Sequence, residues 1–305
     1  MRLPDLSHLP DLPVREVLGA VIATLAAHGS AVLVAPPGTG KTTLVPLALA
    51  AAVDPDRGRV LVAEPRRLAT RAAAARMAAL LGEPVGETVG YAVRGDSRSS
   101  DRTRIEVVTS GLLLRRLMAD PELAGVHTVL LDECHERHLD ADLLLALLLD
   151  ARAGLRPDLR LLATSATVAT DRLTELLDRA PVLTVEARMF PVTTRHIPPV
   201  RGERIETCVA RAVRTALRED DGDVLAFLPG VPEIRRTAAL LTDLTDVDVL
   251  PMHGRMPAAE QDRALAPGPR RRVVLSTAVA ESSLTVPGVR AVVDAGLART
   301  PVQGR

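Results

Sequence analysis

An α/β fold in two lobes, each a mostly parallel sheet with crossover helices, is predicted by three observations. Short β-branched or apolar runs alternate with longer Ala/Leu/Arg-rich stretches, the rhythm of strands joined by helices. That rhythm breaks at a stretch holding Pro191, Pro198 and Pro199 and then restarts. The 305 residues are enough for one large domain or for two, and a 47% apolar content supplies buried cores and excludes disorder throughout.

In chain order, the first lobe is taken as residues 1–186. Its strands read as 31–35, 60–63, 105–108, 129–132 and 160–164, short runs such as Val60 to Val62 and Val107-Val108. Between them, 41–52, 69–81 and 139–153 read as helices because they are long and rich in Ala, Leu and Arg. The sheet closes near residue 185. The second lobe, 187–305, gives a helix at 205–217, a strand at 224–228, a helix at 232–241, and strands at 247–250, 272–276 and 290–294. It stops about ten residues after its last strand, so it reads as incomplete. No residue-level repeat joins the lobes.

Composition limits the partners. The 38 basic and 38 acidic side chains cancel, so a polyanion must be held by a local patch and not by the field of the whole molecule. Tyr91, Phe190 and Phe227 are the whole aromatic set, too few for base stacking to dominate a nucleic-acid grip. Of the 38 basic residues only Lys41 is lysine, which marks a place where a guanidinium does not substitute for a point charge. No apolar run approaches the ~18 residues of a membrane span, and residues 1–16 carry prolines and acids where a secretory signal needs an apolar core. Two cysteines, Cys134 and Cys208, make no disulfide framework. Together these predict a cytoplasmic protein without a membrane partner.

After the first strand comes Ala35-Pro36-Pro37-Gly38-Thr39-Gly40-Lys41-Thr42, then a helix. This is a phosphate loop with alanine in place of its first glycine. Backbone N–H groups of the turn face phosphate oxygens, the helix adds its positive end, Lys41 reaches the β/γ-phosphates, and the Thr42 hydroxyl ligates Mg²⁺. A bare Gly/Pro turn is the bland alternative. A carboxylate is then needed at a neighbouring strand end, and Asp132-Glu133-Cys134-His135 supplies it where a parallel sheet presents its carboxyl edge. Asp132 is expected to hold the metal and Glu133 to polarise the attacking water. A rival reading makes Cys134, His135 and His138 soft ligands for zinc, although zinc usually takes four ligands and the other cysteine lies 74 residues away. His135 is expected to link the acidic motif to the next lobe.

With both elements placed, the chain resembles the DEAH-box helicases of superfamily 2, in the DECH spelling, from about residue 14 to residue 297. The matches continue through Glu64-Pro65-Arg66-Arg67, residues 89–94, Thr109-Ser110-Gly111-Leu112-Leu113 and Ser165-Ala166-Thr167. In the second lobe they are Phe227-Leu228-Pro229-Gly230, His253-Gly254 with Glu260-Gln261, Ser276-Thr277 through Glu281 to Thr285, and residues 292–296. The short lead into the phosphate loop and residues 251–265 look most like the bacterial HrpB-type branch. The resemblance implies two RecA-like lobes with ATP and Mg²⁺ in the cleft and single-stranded nucleic acid, RNA before DNA, across their tops. It implies catalytic work for Lys41, Asp132, Glu133 and His135. Gly38, Thr39, Gly40, Lys41, Thr42 and Thr43 would contact the nucleotide. Arg66, Arg67, Thr109 and Thr277 would touch the strand's phosphates and sugars, while Ser165 and Thr167 couple nucleotide state to grip. Guanidinium forks and small hydroxyls suit a backbone read without sequence.

Three departures qualify the match. Ala278 stands where relatives usually carry Asn, and Ser282 where Thr is common. Up to Arg305 no arginine-finger motif VI occurs, and an arginine finger is worth ~10³ to 10⁵ in rate. The chain is therefore expected to be a C-terminally truncated ATP-dependent helicase that binds ATP and Mg²⁺ but hydrolyses slowly. The alternatives are a nucleotide-dependent nucleic-acid-binding module without efficient hydrolysis, and an unrelated phosphate-loop motor.

Overall fold

A computed structural model describes residues 9–167, 170–187, 190–281 and 286–297. The chain divides into two compact units, Met1–Phe190 and Pro191–Arg305. The motif residues 282–285, including Ser282, lie outside the described residues.

The first unit opens with α1 (Leu18–His28), β1 (Ser30–Val34), α2 (Lys41–Ala52), β2 (Arg59–Glu64) and α3 (Arg67–Leu80). It continues through β3 (Val89–Val93), β4 (Asp96–Arg98), β5 (Ile105–Thr109), α4 (Ser110–Ala119) and β6 (Val126–Leu131). It ends with α5 (Leu139–Gly154), β7 (Arg160–Ser165), α6 (Asp171–Leu176) and β8 (Val182–Thr184). The strands form one sheet in the order β4-β3-β5-β2-β6-β7-β1-β8. All pairs are parallel except the β3/β4 hairpin.

The apolar strand runs have a direct structural reason. Along β1, Ala31 and Leu33 enter one core cluster and Val32 and Val34 the other, because successive side chains leave a strand on opposite faces. Helices α1, α2 and α3 cover the first face with Leu25, Leu47 and Met77, and α4 and α5 cover the second with Leu113, Leu144 and Leu148. A sheet buried on both faces needs this continuous apolar pattern. All strand carboxyl ends of the parallel part then point to one edge, the edge available to a ligand.

Several expected boundaries move. The strand expected at 129–132 runs from Val126 to Leu131, so Asp132 stands just past its end, anchored by its N–H to Ala63 O at 3.0 Å. Residues 89–93, within a stretch read only as a motif, build β3, and α1, α4, α6, β4, β8 and the helix Ala258–Leu265 had no sequence counterpart. Short pieces of this kind span too few residues to show a clear period. Helix α2 keeps its expected span even with Pro46 inside it.

The second unit consists of α7 (Ile205–Glu219), β9 (Asp223–Phe227), α8 (Val231–Ala239), β10 (Val247–Met252), α9 (Ala258–Leu265), β11 (Arg271–Ser276) and β12 (Val289–Asp294). Its described strands form a parallel sheet in the order β10-β11-β9-β12, with Val213, Val224, Ile234 and Leu275 in its core. Arg272, only 2% exposed, is held at the sheet's amino end by Asp223, with Nε–Oδ2 at 2.8 Å.

Candidate active site

The loop between β1 and α2 is fixed from below and from the side. Ala35, fully buried, donates its N–H to Ser165 O at 2.9 Å. It is absent from the positive-φ residues, so the missing glycine costs this turn no backbone freedom. Gly38 and Gly40 do carry positive φ, +80° and +93°. A Cβ on Gly40 would come within 2.8 Å of Leu12 Cδ1, so glycine is required there on two counts. Thr39 Oγ1 donates to Pro36 O at 2.7 Å, and Val14 N–H donates to Thr39 O at 3.1 Å. The lead segment thus braces the loop, a role that sequence reasoning missed because nothing in its composition announces it. Thr43 Oγ1 closes the first turn of α2 on Gly40 O at 3.4 Å.

Loop and acids meet. Lys41 Nζ lies 2.8 Å from Glu133 Oε1, with both side chains less than a tenth exposed. Thr42 Oγ1 donates to Asp132 Oδ2 at 2.6 Å. The other carboxylate oxygen of Asp132 accepts the Glu133 N–H at 3.0 Å and the Thr164 hydroxyl. Glu133 itself adopts φ +55°, a left-handed conformation that costs a non-glycine residue about 1–3 kcal/mol and persists only where neighbours fix it. Burial, and then the Asp132 charge, push the Glu133 carboxyl above the ordinary carboxylate range, against the pull of Lys41.

Beside these acids stands Glu64, the last residue of β2, with no exposed surface. Neither of its carboxylate oxygens has a hydrogen-bond partner among the described residues. Burial first, then Asp132, raise its pKa well above the ordinary value. Sequence reasoning quoted Glu64 within a motif and gave it no role; a charged residue closing an apolar strand was the available signal.

His135 Nδ1 accepts the Ala166 N–H at 3.2 Å and lies 3.3 Å from Glu133 Oε2. Its bonding therefore ties the acidic motif to the turn after β7 in the same unit. In that turn Ser165 Oγ accepts the Thr167 N–H at 3.1 Å. Arg66 is half-buried and reaches Glu136 Oε2 at 3.4 Å, while Arg67 is exposed at the start of α3. Thr109 ends β5. Thr277 belongs to the second unit, where its N–H reaches Met252 O at 3.2 Å.

The donor set bears on which cation would fit. Thr42 and Asp132 offer hard oxygens, which suit Mg²⁺, a cation that keeps several waters and takes one or two carboxylates plus phosphate oxygens. The zinc alternative fails on geometry: Cys134 Sγ turns to Leu131 O at 3.4 Å, His138 Nε2 to Glu136 Oε2 at 2.5 Å, and His135 to Ala166. Burial, the largest influence, together with nearby acids pushes the Cys134 thiol up to about 12, the reverse of what a thiolate ligand needs. Among the described residues no group of three His, Cys, Asp or Glu side chains is arranged to hold a metal ion alone. No helix among them is long and apolar enough to cross a membrane.

Comparison with known proteins adds two family matches, the DEAD/DEAH box helicase domain over residues 17–176 and the helicase conserved C-terminal domain over residues 206–303. The chain is 46% identical to the ATP-dependent RNA helicase HrpB of Escherichia coli over 290 residues, 94% of this chain and 36% of that protein. It is 34% identical to the probable ATP-dependent RNA helicase DHR2 of Saccharomyces cerevisiae, over 95% of this chain and 42% of that one. The crystal structure of the E. coli DEAH/RHA helicase HrpB superposes with a TM-score of 0.87 at 46% identity, covering 95% of this chain and 37% of that chain. The chain thus spans well under half the length of these relatives.

Proposed function

The chain belongs to the DEAD/DEAH box helicases, and from that premise we propose that it binds Mg²⁺ and ATP at the carboxyl edge of the first sheet and hydrolyses ATP as part of an RNA helicase. The observation that carries this reading is the double tie between loop and acids, Lys41 to Glu133 at 2.8 Å and Thr42 to Asp132 at 2.6 Å. Two side chains that sequence reasoning assigned to phosphate and metal stand in contact with the two assigned to metal and water.

Thr42 and Asp132 would hold Mg²⁺, which when bound supplies charge neutralisation on phosphate oxygens. Lys41 binds the β/γ-phosphates as a point charge, and the backbone N–H groups from Gly38 to Thr43 line the phosphates at the start of α2. Each phosphate contact made by Lys41 loosens its hold on Glu133. Glu133 then orients the attacking water, and its raised pKa suits it to take up a proton. His135, joined to Ala166, relays the state of the acidic motif to Ser165 and Thr167. Arg66, Arg67 and Thr109 in the first unit, and Thr277 in the second, each touch phosphate or sugar, and the absence of tryptophan together with only three other aromatic rings agrees with a backbone grip.

The test is the ATPase rate of this chain with Mg²⁺, alone and with single-stranded RNA or DNA. Hydrolysis stimulated more by RNA supports the reading. Nucleotide-dependent RNA binding with no hydrolysis favours a strand-binding module, and equal rates with and without either strand remove the coupling.

A further inference from the structure

We propose that the amino edge of the first sheet carries a second anion site, a pocket for a ligand bearing two or more phosphate groups, at the opposite strand ends from the nucleotide loop. The strands separate the two edges by about 16 Å, five residues at ~3.3 Å each. A cavity of about 610 Å³ opens there, lined among others by His28, Arg57, His127, Arg152, Arg160 and Asp158. Five separate elements deliver the basic groups: the end of α1, the turn before β2, the start of β6, the last turn of α5 and the start of β7.

Chance gathering in an arginine-rich chain is the simplest alternative, and the convergence of single basic groups from five elements on one cavity argues against it. Some arginines elsewhere find acids, as in Arg116 with Glu106, Arg137 with Asp142, Arg211 with Glu203 and Arg272 with Asp223. Here Asp158 is the single lining acid, and both its oxygens are taken by Arg156, at 2.8 and 2.9 Å. Arg57, Arg152 and Arg160 form no ion pair among the described residues, and the shielded Arg152 Nε has no hydrogen-bond partner. Gly29, at φ +71°, lets Arg152 lie across the start of β1, since a Cβ there would sit 2.8 Å from the guanidinium. The three guanidiniums approach the charge of a diphosphate, and their planar forks match phosphate oxygens. Leu25 and Pro157 add an apolar floor. After burial, Arg160 and Arg57 lower the His127 pKa, as an unneutralised positive field does.

This site does not depend on the ATP assignment, and His127 is its reporter. In the whole chain, the imidazole signals of His127 are followed by NMR during titration with inorganic pyrophosphate, then with short single-stranded RNA bearing a 5′-phosphate or a 5′-hydroxyl. Saturable movement with a sub-millimolar Kd, weakened at least about tenfold in Arg152→Gln and in Arg160→Gln and retained in Lys41→Ala, supports the site. A response to pyrophosphate alone identifies free phosphates as the source, and a matching response to 5′-phosphorylated RNA alone identifies a strand end. No saturable movement with any probe at millimolar concentration, equal movement in both arginine variants, or loss in Lys41→Ala overturns it.

Discussion

At its carboxyl edge the first sheet crowds Glu64, Asp132 and Glu133 around the chain's one lysine, none of them more than 9% exposed. At its amino edge Arg57, Arg152 and Arg160 surround His127 with one acid that is already paired. A chain whose 38 bases and 38 acids cancel is thus polar within a single sheet. Net charge bears on long-range attraction and is silent about such edges. The two edges differ also in burial: the acids are shut in, where charge is costly without a cation, while the arginines are partly open to water, where it is cheap.

Lys41→Ala is the largest break in that contrast. It removes the lysine that pairs with Glu133 beside three buried acids, so both function and stability should fall. Nucleotide binding is expected to be lost, and the first unit to lose about 3 kcal/mol at neutral pH, the cost of stranding one partner of a buried pair. Calorimetric unfolding and nucleotide titration check this, and adding Glu133→Gln should restore stability without restoring binding. An unaltered transition in Lys41→Ala would show that the acids were never charged together.

Glu133→Gln comes next. The amide keeps the volume and loses the carboxylate that orients water and accepts a proton, so hydrolysis should fall by about 10² to 10⁴ with ATP binding retained. Single-turnover hydrolysis beside equilibrium nucleotide binding separates the two, and undiminished hydrolysis would take Glu133 out of the chemistry.

These two variants come from residues legible in the sequence alone. The reason is local: the loop and the acidic motif are contiguous runs, and a parallel sheet of β1 and β6 with only β7 between them must bring their carboxyl ends together. Ala35 looked like a flaw and is not one, because its backbone needs no positive φ. What stayed hidden depends on distance in sequence. Thr164 reaches Asp132 across 32 residues, Val14 braces Thr39 from the lead segment, and the basic edge draws single residues from five elements with no shared spacing. Fold class was legible from the apolar runs; β4 and β8 were not, since edge strands of three residues lack the length that makes a period visible.

Acid-edge and base-edge groups should respond to pH with opposite sign, and Glu64→Gln gives the larger effect. Burial, then Asp132 and Glu133, raise the Glu64 pKa above the ordinary 4.5, with Lys41 pulling the other way. A raised folded pKa means that its contribution to stability is complete below 4.5 and is lost as pH climbs through the raised value. The Gln variant should therefore be more stable than the parent at neutral pH by about 1 kcal/mol, and the gap should close in acid. Denaturant unfolding across the acid-to-neutral range reads it, and a gap that widens in acid would mean that Glu64 is held as a charge.

His127 carries the smallest effect and the reverse sign. Burial, then Arg160 and Arg57, with a lesser push from Arg156 and an opposing pull from Asp158, lower its pKa below the ordinary 6.5. Its contribution is therefore complete above 6.5 and is lost as pH falls through the lowered value, because the unfolded chain takes up the proton first. His127→Gln should flatten the acid side of the melting curve by about 1–3 °C and leave the alkaline side unchanged. Pyrophosphate held by the arginines would offset their field and raise the His127 pKa, so the parent's acid loss should shrink when the anion is present and the variant's should not. A parent whose acid loss ignores the anion would place the arginines' charge elsewhere than on this imidazole, and the contrast between the two edges would then rest on the acids alone.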